Sequence, residues 1–246
     1  MTQAERQRTN AERRLTQQHP VIDAVIPARN EAPTVAEVVA QCRRCRHVRQ
    51  VIVVDDGSSD DTAERAEAAG AVVIRRSPDG DGSKANAMEA GVAATDADAI
   101  LFVDADLLGL TAEHLDAICE PFVAGRAAMS LGTFDYGVWN RLVLRFPPTT
   151  GERIVPRWVF EAVPPAKREG YRIETFINEV VTEGRLPVTA RVMRGVTHRT
   201  KRDKFGPVEG WRRSWAMFWD VWSKSLWARC RKRTYWYYLR NLTIER

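Results

Sequence analysis

Ala99-Ile-Leu-Phe-Val-Asp104-Ala-Asp106 decides the fold. A continuous apolar run, without in/out alternation, reads as a strand buried on both faces. Its abrupt acidic end marks the place where the chain leaves the sheet. Three earlier runs have the same character: Val21–Ile26 ending at Pro27, Val51–Val54 ending in Asp55-Asp56-Gly57-Ser58-Ser59-Asp60, and Ala71–Ile74. Between them the spacing is helical. Ala32–Arg46 places Val35, Val38, Val39 and Cys42 on one face, Thr62–Ala69 is closed by Gly70 as its C-cap, and Ser83–Ala94 precedes the fourth strand. Such alternation predicts an α/β fold, a mostly parallel central sheet flanked by helices. Ligands of these sheets bind beyond the carboxyl ends of the strands. Three of the four strand ends carry polar or acidic clusters: Arg29-Asn30-Glu31, Asp55-Asp56 and Asp104-Ala105-Asp106.

Asp104 and Asp106 are two residues apart, so in extended chain their side chains share one side. Two hard oxygen ligands at that spacing suit Mg²⁺ or Mn²⁺ carrying a diphosphate, the cation neutralising a departing nucleoside diphosphate. Asp106 is read as the metal ligand and Asp104 as the residue nearer the nucleotide ribose, although spacing alone does not separate them. Solvated turns also produce Asp-x-Asp. Its position after an apolar strand, downstream of two other polar strand ends, favours the functional reading.

The chain has 246 residues, 44% hydrophobic and 28% charged, enough to bury a core and unlike a disordered segment. No run of about 18 apolar residues is present, and the N-terminus lacks the apolar core of a secretory signal. The expectation is a cytoplasmic protein. Charge is uneven: residues 185–246 hold 16 Lys/Arg against 4 Asp/Glu, whereas residues 1–184 are net acidic. A localised basic surface calls for a local anionic partner, such as a diphosphate, an acidic acceptor or a lipid headgroup. The ordinary alternative for any single lysine or arginine is a solvated face. Cys42 and Cys45 have C-x-x-C spacing, but no second pair follows, so the four cysteines are read as free thiols.

The second half is less regular. Residues 113–125 and 174–183 read as helices, 188–196 as β-like, and Pro147-Pro148 and Pro164-Pro165 as loop punctuation. From Trp211 the chain is aromatic, basic and helical in spacing, with Trp211, Trp215, Trp219 and Trp222 on one stripe. The stripe fits a helix packed on the sheet or against a second copy in a homodimer. It also fits an interfacial helix on an anionic membrane, at its inner face. An aromatic, basic tail could stack on single-stranded nucleic acid, but no RNA-binding signature accompanies it. Without an internal repeat or a Gly/Ser linker, the organisation is a polar tail (1–19), one domain (20–210) and a C-terminal helical extension (211–246).

Four segments in order, Val25–Ala32, Val53–Thr62, Gly82–Ala87 and Phe102–Leu107, resemble nucleotide-sugar glycosyltransferases of the GT-A type, family 2-like. The resemblance implies a Rossmann-like domain. It implies that Pro27, Ala28, Arg29 and Glu31 line the nucleotide pocket, that Asp56 or its neighbour Asp55 accepts a hydrogen bond from the base, commonly uracil, and that Lys84 sits over the diphosphate. Thr150–Arg153, Gly170–Glu174 and Gly195–His198 fall in the order seen in glucosyl-3-phosphoglycerate synthases and polyprenyl-phosphate sugar transferases. That narrower likeness implies an acceptor site at Gly151 and Glu152, a catalytic Glu174 reaching toward the acceptor, and His198 completing the metal shell with Asp106. A lone histidine is more often a packed or solvent-facing residue. The basic loop around it, with Arg199, Lys201 and Lys204, suits the clamping of phosphates.

The expected reaction is transfer of a sugar from a nucleoside-diphosphate sugar, with UDP the expected carrier, to a phosphorylated, lipid-phosphate or natural-product acceptor. Inversion requires a carboxylate to deprotonate the acceptor, and Glu174 is the candidate. Glu174 is equally explained as a helix N-terminal acid favoured by the dipole. Retention requires no base at that place and is slightly favoured. Two other readings remain: a nucleotidylyltransferase, disfavoured because Pro27-Ala28-Arg29-Asn30-Glu31 replaces the expected Gly-rich loop, and a non-catalytic nucleotide-sugar-binding protein.

Overall fold

The computed structural model describes residues 20–77, 83–140, 150–168, 173–199, 240 and 242–245. The expected polar tail, Lys201, Lys204 and the tryptophan stripe at 211–222 lie outside the described residues.

The first half alternates as its sequence predicts: β1 (Ile22–Ala28), α1 (Val35–Arg44), β2 (Val48–Asp55), α2 (Thr62–Ala68), β3 (Val72–Arg75), α3 (Lys84–Ala93) and β4 (Ala99–Phe102). Side chains alternate between two buried layers. Ala24, Ile26, Val51, Val53 and Leu101 join one layer with Val35, Val38 and Val39 of α1. Val25, Ile52, Val54, Ile100 and Phe102 join the other with Ala85 and Met88 of α3. Burial on both faces is why these strands read as unbroken apolar runs, and each fully buried Val, Leu or Ile stabilises the fold by roughly 1.5–3 kcal/mol. α2 ends in a Schellman motif: the Gly70 amide donates to the Glu67 carbonyl (2.8 Å) and the Ala71 amide to the Ala66 carbonyl (3.1 Å). Gly70 takes φ +91°, a left-handed conformation that favours glycine.

The second half supplies β5 (Leu107–Leu108), α4 (Ala112–Val123), β6 (Met129–Phe134), β7 (Arg153–Pro156), α5 (Arg157–Glu161), α6 (Ile173–Glu183), β8 (Val188–Met193), β9 (Thr197–His198) and β10 (Leu242–Glu245). The main sheet has the order β10-β8-β6-β7-β4-β1-β2-β3, and β5 and β9 form a separate two-stranded ribbon. Every described pairing in the main sheet is parallel except those of β7, which runs antiparallel to both β4 and β6. The strand at 242–245 departs from the helical expectation for 211–246. Its Leu-Thr-Ile-Glu sequence favours the pleated partnership it makes with β8, Leu242 opposite Val188.

The reversal at β7 builds the site. Phe102, the last residue of β4, is opposite Arg153, the first of β7. The residues entering β7 therefore lie beside those leaving β4, which brings Thr150-Gly151-Glu152 to Asp104. Helices that lead into parallel strands start at the carboxyl edge of the sheet. That places the first turns of α3 and α6 at the same edge.

Candidate active site

Lys84 opens α3, where a positive charge opposes the helix dipole. Two carboxylates hold it there. Its Nζ donates to Asp104 Oδ1 (2.6 Å) and to Glu174 Oε1 (2.8 Å), joining residues 20 and 90 positions away. The side chains are largely covered, with 16%, 31% and 5% exposed for Lys84, Asp104 and Glu174. Burial alone would lower the lysine's pKa, but the charges of Asp104 and Glu174 overcome it and hold the ammonium well above its ordinary value.

Asp104 rests directly on the backbone at Gly151. A Cβ on that residue would lie 2.3 Å from the carboxylate carbon and both of its oxygens. Glu152, next in the chain, is 1% exposed. Its Oε2 accepts from the Thr150 hydroxyl, and its Oε1 is buried without a hydrogen-bond partner among the described residues. Burial, then the charge of Asp104, pushes the Glu152 carboxyl up to about 8; the Thr150 hydroxyl and Lys84 pull the other way. At neutral pH this side chain is mostly a neutral acid. Arg153 is wholly buried. It was not among the sequence-predicted site residues, and the only signal for it is a charged residue heading the apolar run Ile154-Val155.

A second group joins the ends of β1 and β2. The Asp56 amide donates to the Ala28 carbonyl (2.8 Å), and the Asp56 carboxylate accepts from Arg76. Asp55 caps its own turn, its Oδ1 accepting from the Ser58 amide and hydroxyl. Asn30 adopts φ +57° and links the two loops: its amide donates to Ser58 Oγ (2.9 Å), and its Oδ1 accepts from the Ser59 amide (2.8 Å). Glu31 is buried at 8%, its amide donating to Thr62 Oγ1, and Arg199 Nη1 approaches its Oε2 at 3.7 Å. Pro27 is half-buried, Ala28 is buried and Arg29 is exposed.

Asp104 to Asp106 do not continue β4, which ends at Phe102; Ala105 and Asp106 form a turn into β5. The ribbon of β5 and β9 then brings His198 to this turn. His198 lies opposite Leu107, and the Arg199 amide donates to the Asp106 carbonyl at 3.0 Å. The His198 ring is exposed on one side and packs against Phe134, centroids 5.3 Å apart. No group of three or more His, Cys, Asp or Glu side chains is gathered for a metal among the described residues. A half-buried carboxylate and an exposed imidazole carried by neighbouring segments are donor types that a divalent cation takes alongside phosphate oxygens. The described cysteines stand apart from the site: Cys42, Cys45 and Cys119 are free and buried in the core.

The sequence model of glycosyl transferase family 2 matches residues 23–192. Over 107 residues the chain is 33% identical to a 4,4'-diaponeurosporenoate glycosyltransferase of Staphylococcus aureus (strain MRSA252). That match takes in 42% of this chain and 28% of the relative, so the chain spans little more than a quarter of the curated relatives it matches. Among solved structures it is similar to glucosyl-3-phosphoglycerate synthase from Mycobacterium tuberculosis. The complex with Mn²⁺, UDP and glucosyl-3-phosphoglycerate aligns at 26% identity and TM-score 0.60, covering 73% of this chain and 72% of that one. The complex with Mn²⁺, UDP-glucose and phosphoglyceric acid aligns at 25% identity and TM-score 0.61, covering 78% and 75%. The mostly parallel sheet with its one reversed strand is accordingly a GT-A type fold.

Proposed function

Because this chain belongs to glycosyl transferase family 2, we propose that it moves a sugar from a UDP-sugar to an anionic acceptor with the help of Mg²⁺ or Mn²⁺. The observation that carries this reading is the Lys84 ammonium held between Asp104 and Glu174 at the carboxyl edge. A covered ammonium paired with carboxylates at a ligand edge is ready to exchange a carboxylate for a diphosphate oxygen.

Ala28, Glu31, Asp55 and Asp56 receive the nucleoside, with the Asp56 carboxylate oriented by Arg76. Asp104 faces the ribose. Asp106 and His198 hold the cation, which supplies charge neutralisation of the departing diphosphate. Arg199 adds positive charge on the same side; Lys201 and Lys204, the other candidate phosphate contacts, lie outside the described residues. Gly151, Glu152 and Glu174 border the acceptor. Glu174 presents both oxygens to cations, Lys84 at 2.8 Å and Arg153 at 3.9 Å. That arrangement holds a carboxylate in place rather than leaving it free to reach for a proton, so retention is the favoured stereochemistry. The acceptor's proton then passes to the leaving phosphate. The anionic acceptor is supported by the basic excess of residues 185–246, and phosphorylated acids and lipid phosphates both satisfy it.

Calorimetry with UDP tests the assignment. Binding should require Mn²⁺ and weaken at least about tenfold in Asp106→Ala. Equal UDP affinity without metal and in the variant would overturn it. A donor screen by UDP release, followed by NMR of the product's anomeric carbon, then identifies the sugar and the stereochemistry. Vesicle co-sedimentation of the wild type and of a variant with Trp211, Trp215, Trp219 and Trp222 replaced by alanine decides whether this segment adds a membrane surface: equal pelleting removes that part of the reading and leaves packing or dimer contacts.

A further inference from the structure

Arg153 is the largest side chain in the protein that is wholly buried among the described residues. Its guanidinium lies between the Thr150 turn and the start of α6. Nε and Nη2 both donate to the Thr150 carbonyl, with Nε at 3.0 Å. Nη1 donates to the Glu174 carbonyl (3.2 Å) and to Asn178 Oδ1 (3.0 Å), and Nη2 lies 3.9 Å from Glu174 Oε2. One side chain therefore grips two segments more than twenty residues apart in sequence. The first is the turn that carries Gly151, on which Asp104 rests. The second is the first turn of α6, which carries Glu174. Asp104 and Glu174 are the two partners of Lys84.

We infer that Arg153 is a positioning residue: its planar guanidinium sets the separation of the Thr150–Glu152 turn and the start of α6, and thereby the cage that Asp104 and Glu174 form around Lys84. Three physical points support it. Burying a guanidinium is costly, and an apolar side chain would serve stability as well, so a fully buried arginine demands a role beyond filling space. Only arginine offers donors in a rigid fork that reaches carbonyls on two segments at once; a lysine at the same place could not make both sets of contacts. The cage is also charge-balanced by this residue, with Lys84 and Arg153 set against the carboxylates of Asp104 and Glu174. Arg153 touches none of the reacting atoms in the proposed transfer and acts through its neighbours.

The test reads Lys84 directly and does not require activity. In the wild-type protein Lys84 should react slowly with trinitrobenzenesulfonate, followed by peptide mass spectrometry, because the caged ammonium stays covered and protonated. In Arg153→Met, Lys84 labelling should rise about tenfold while the other lysines keep their wild-type rates. Arg153→Lys, which keeps the charge but loses the fork, should behave like Arg153→Met. Lys84 as protected in both variants as in wild type would overturn the inference. If neither variant melts cooperatively, Asn178→Ala is read instead. It removes one acceptor of the guanidinium, so selective acceleration at Lys84 supports the inference and an unchanged rate overturns it. A second arm rests on the transfer reading. There, combining Arg153→Lys with Lys84→Ala should cost little more turnover than Lys84→Ala alone, since Arg153 acts through the cage around Lys84. Multiplying losses would show an independent, merely structural Arg153. A protein that transfers no sugar would defeat the functional reading and leave the labelling result standing.

Discussion

The two edges of one sheet treat buried charge in opposite ways. At the amino edge, Asp23 is wholly buried near the start of β1, and every partner it needs is present. Arg49 donates to both of its oxygens (3.0 and 2.7 Å), Gln50 adds a third bond (2.8 Å) and the Thr95 hydroxyl a fourth. Burial alone would raise its pKa, but these donors outweigh burial and hold the carboxyl below its ordinary value. At the carboxyl edge, Glu152 is just as buried. It has one hydroxyl donor, a neighbouring carboxylate in Asp104 and an oxygen without a partner among the described residues, and its pKa rises to about 8. A closed, saturated cluster locks strands together. An open, undersaturated one, beside a lysine shared by two acids, retains bonding capacity for a ligand.

The contrast yields graded expectations. The largest effect should come from Lys84→Ala, which empties the carboxyl-edge cage: turnover in a UDP-release assay should fall about 10²–10³-fold. Gly151→Ala comes next. Its methyl group must displace the Asp104 carboxylate, and a shift of that kind should lower kcat/KM by up to about a hundredfold while the protein still folds. Asp23→Asn reverses the pattern. Melting should show a loss of about 2 kcal/mol, moderated because Arg49 is 43% exposed, whereas turnover at a temperature well below the transition should match wild type. A strong loss of turnover in the folded Asp23→Asn protein would break the distinction between the edges.

Glu152→Gln should act only as a function of pH. The folded carboxyl keeps its proton until about pH 8, whereas the unfolded one releases it near the ordinary value of 4.5. Between those values the native state binds more protons, so the contribution of Glu152 to stability is full below 4.5 and declines as pH rises toward 8. The slope is at most about 1.4 kcal/mol per pH unit. Glutamine cannot titrate, so the variant should lose that slope in denaturation midpoints measured across the window. An unchanged slope would mean that Glu152 is already ionised in the folded protein.

The first half of the fold was legible because its strands are covered on both faces. Val51–Val54 and Ala99–Phe102 must be apolar throughout, and the polar residues that follow them mark the edge where a ligand meets the sheet. β7 was not legible: four residues, Arg153-Ile-Val-Pro156, begin with a charge and end with proline, and their direction is set by pairing with β4 and β6. The two-residue strands β5 and β9 are too short to carry any period, so the approach of His198 to the Asp106 turn could not be derived from spacing. The spacing of Asp104 and Asp106 suggests extended chain at the strand end, but β4 stops at Phe102 and Asp106 lies in a turn. Arg153 escaped notice because arginine is normally an exposed residue and its burial depends on partners contributed by a distant helix.

Local pattern alone therefore determined the alternating α/β core, the family and the edge at which acidic residues accumulate, since these follow from hydrophobic period and from short motifs read in order. Tertiary structure alone decided that Lys84 lies between Asp104 and Glu174, that Gly151 supports Asp104 and that Arg153 braces both. Apart from the bond of Arg153 to Thr150, those contacts join residues twenty or more positions apart, and the reversed strand β7 creates the juxtaposition, a long-range pairing that no local period encodes.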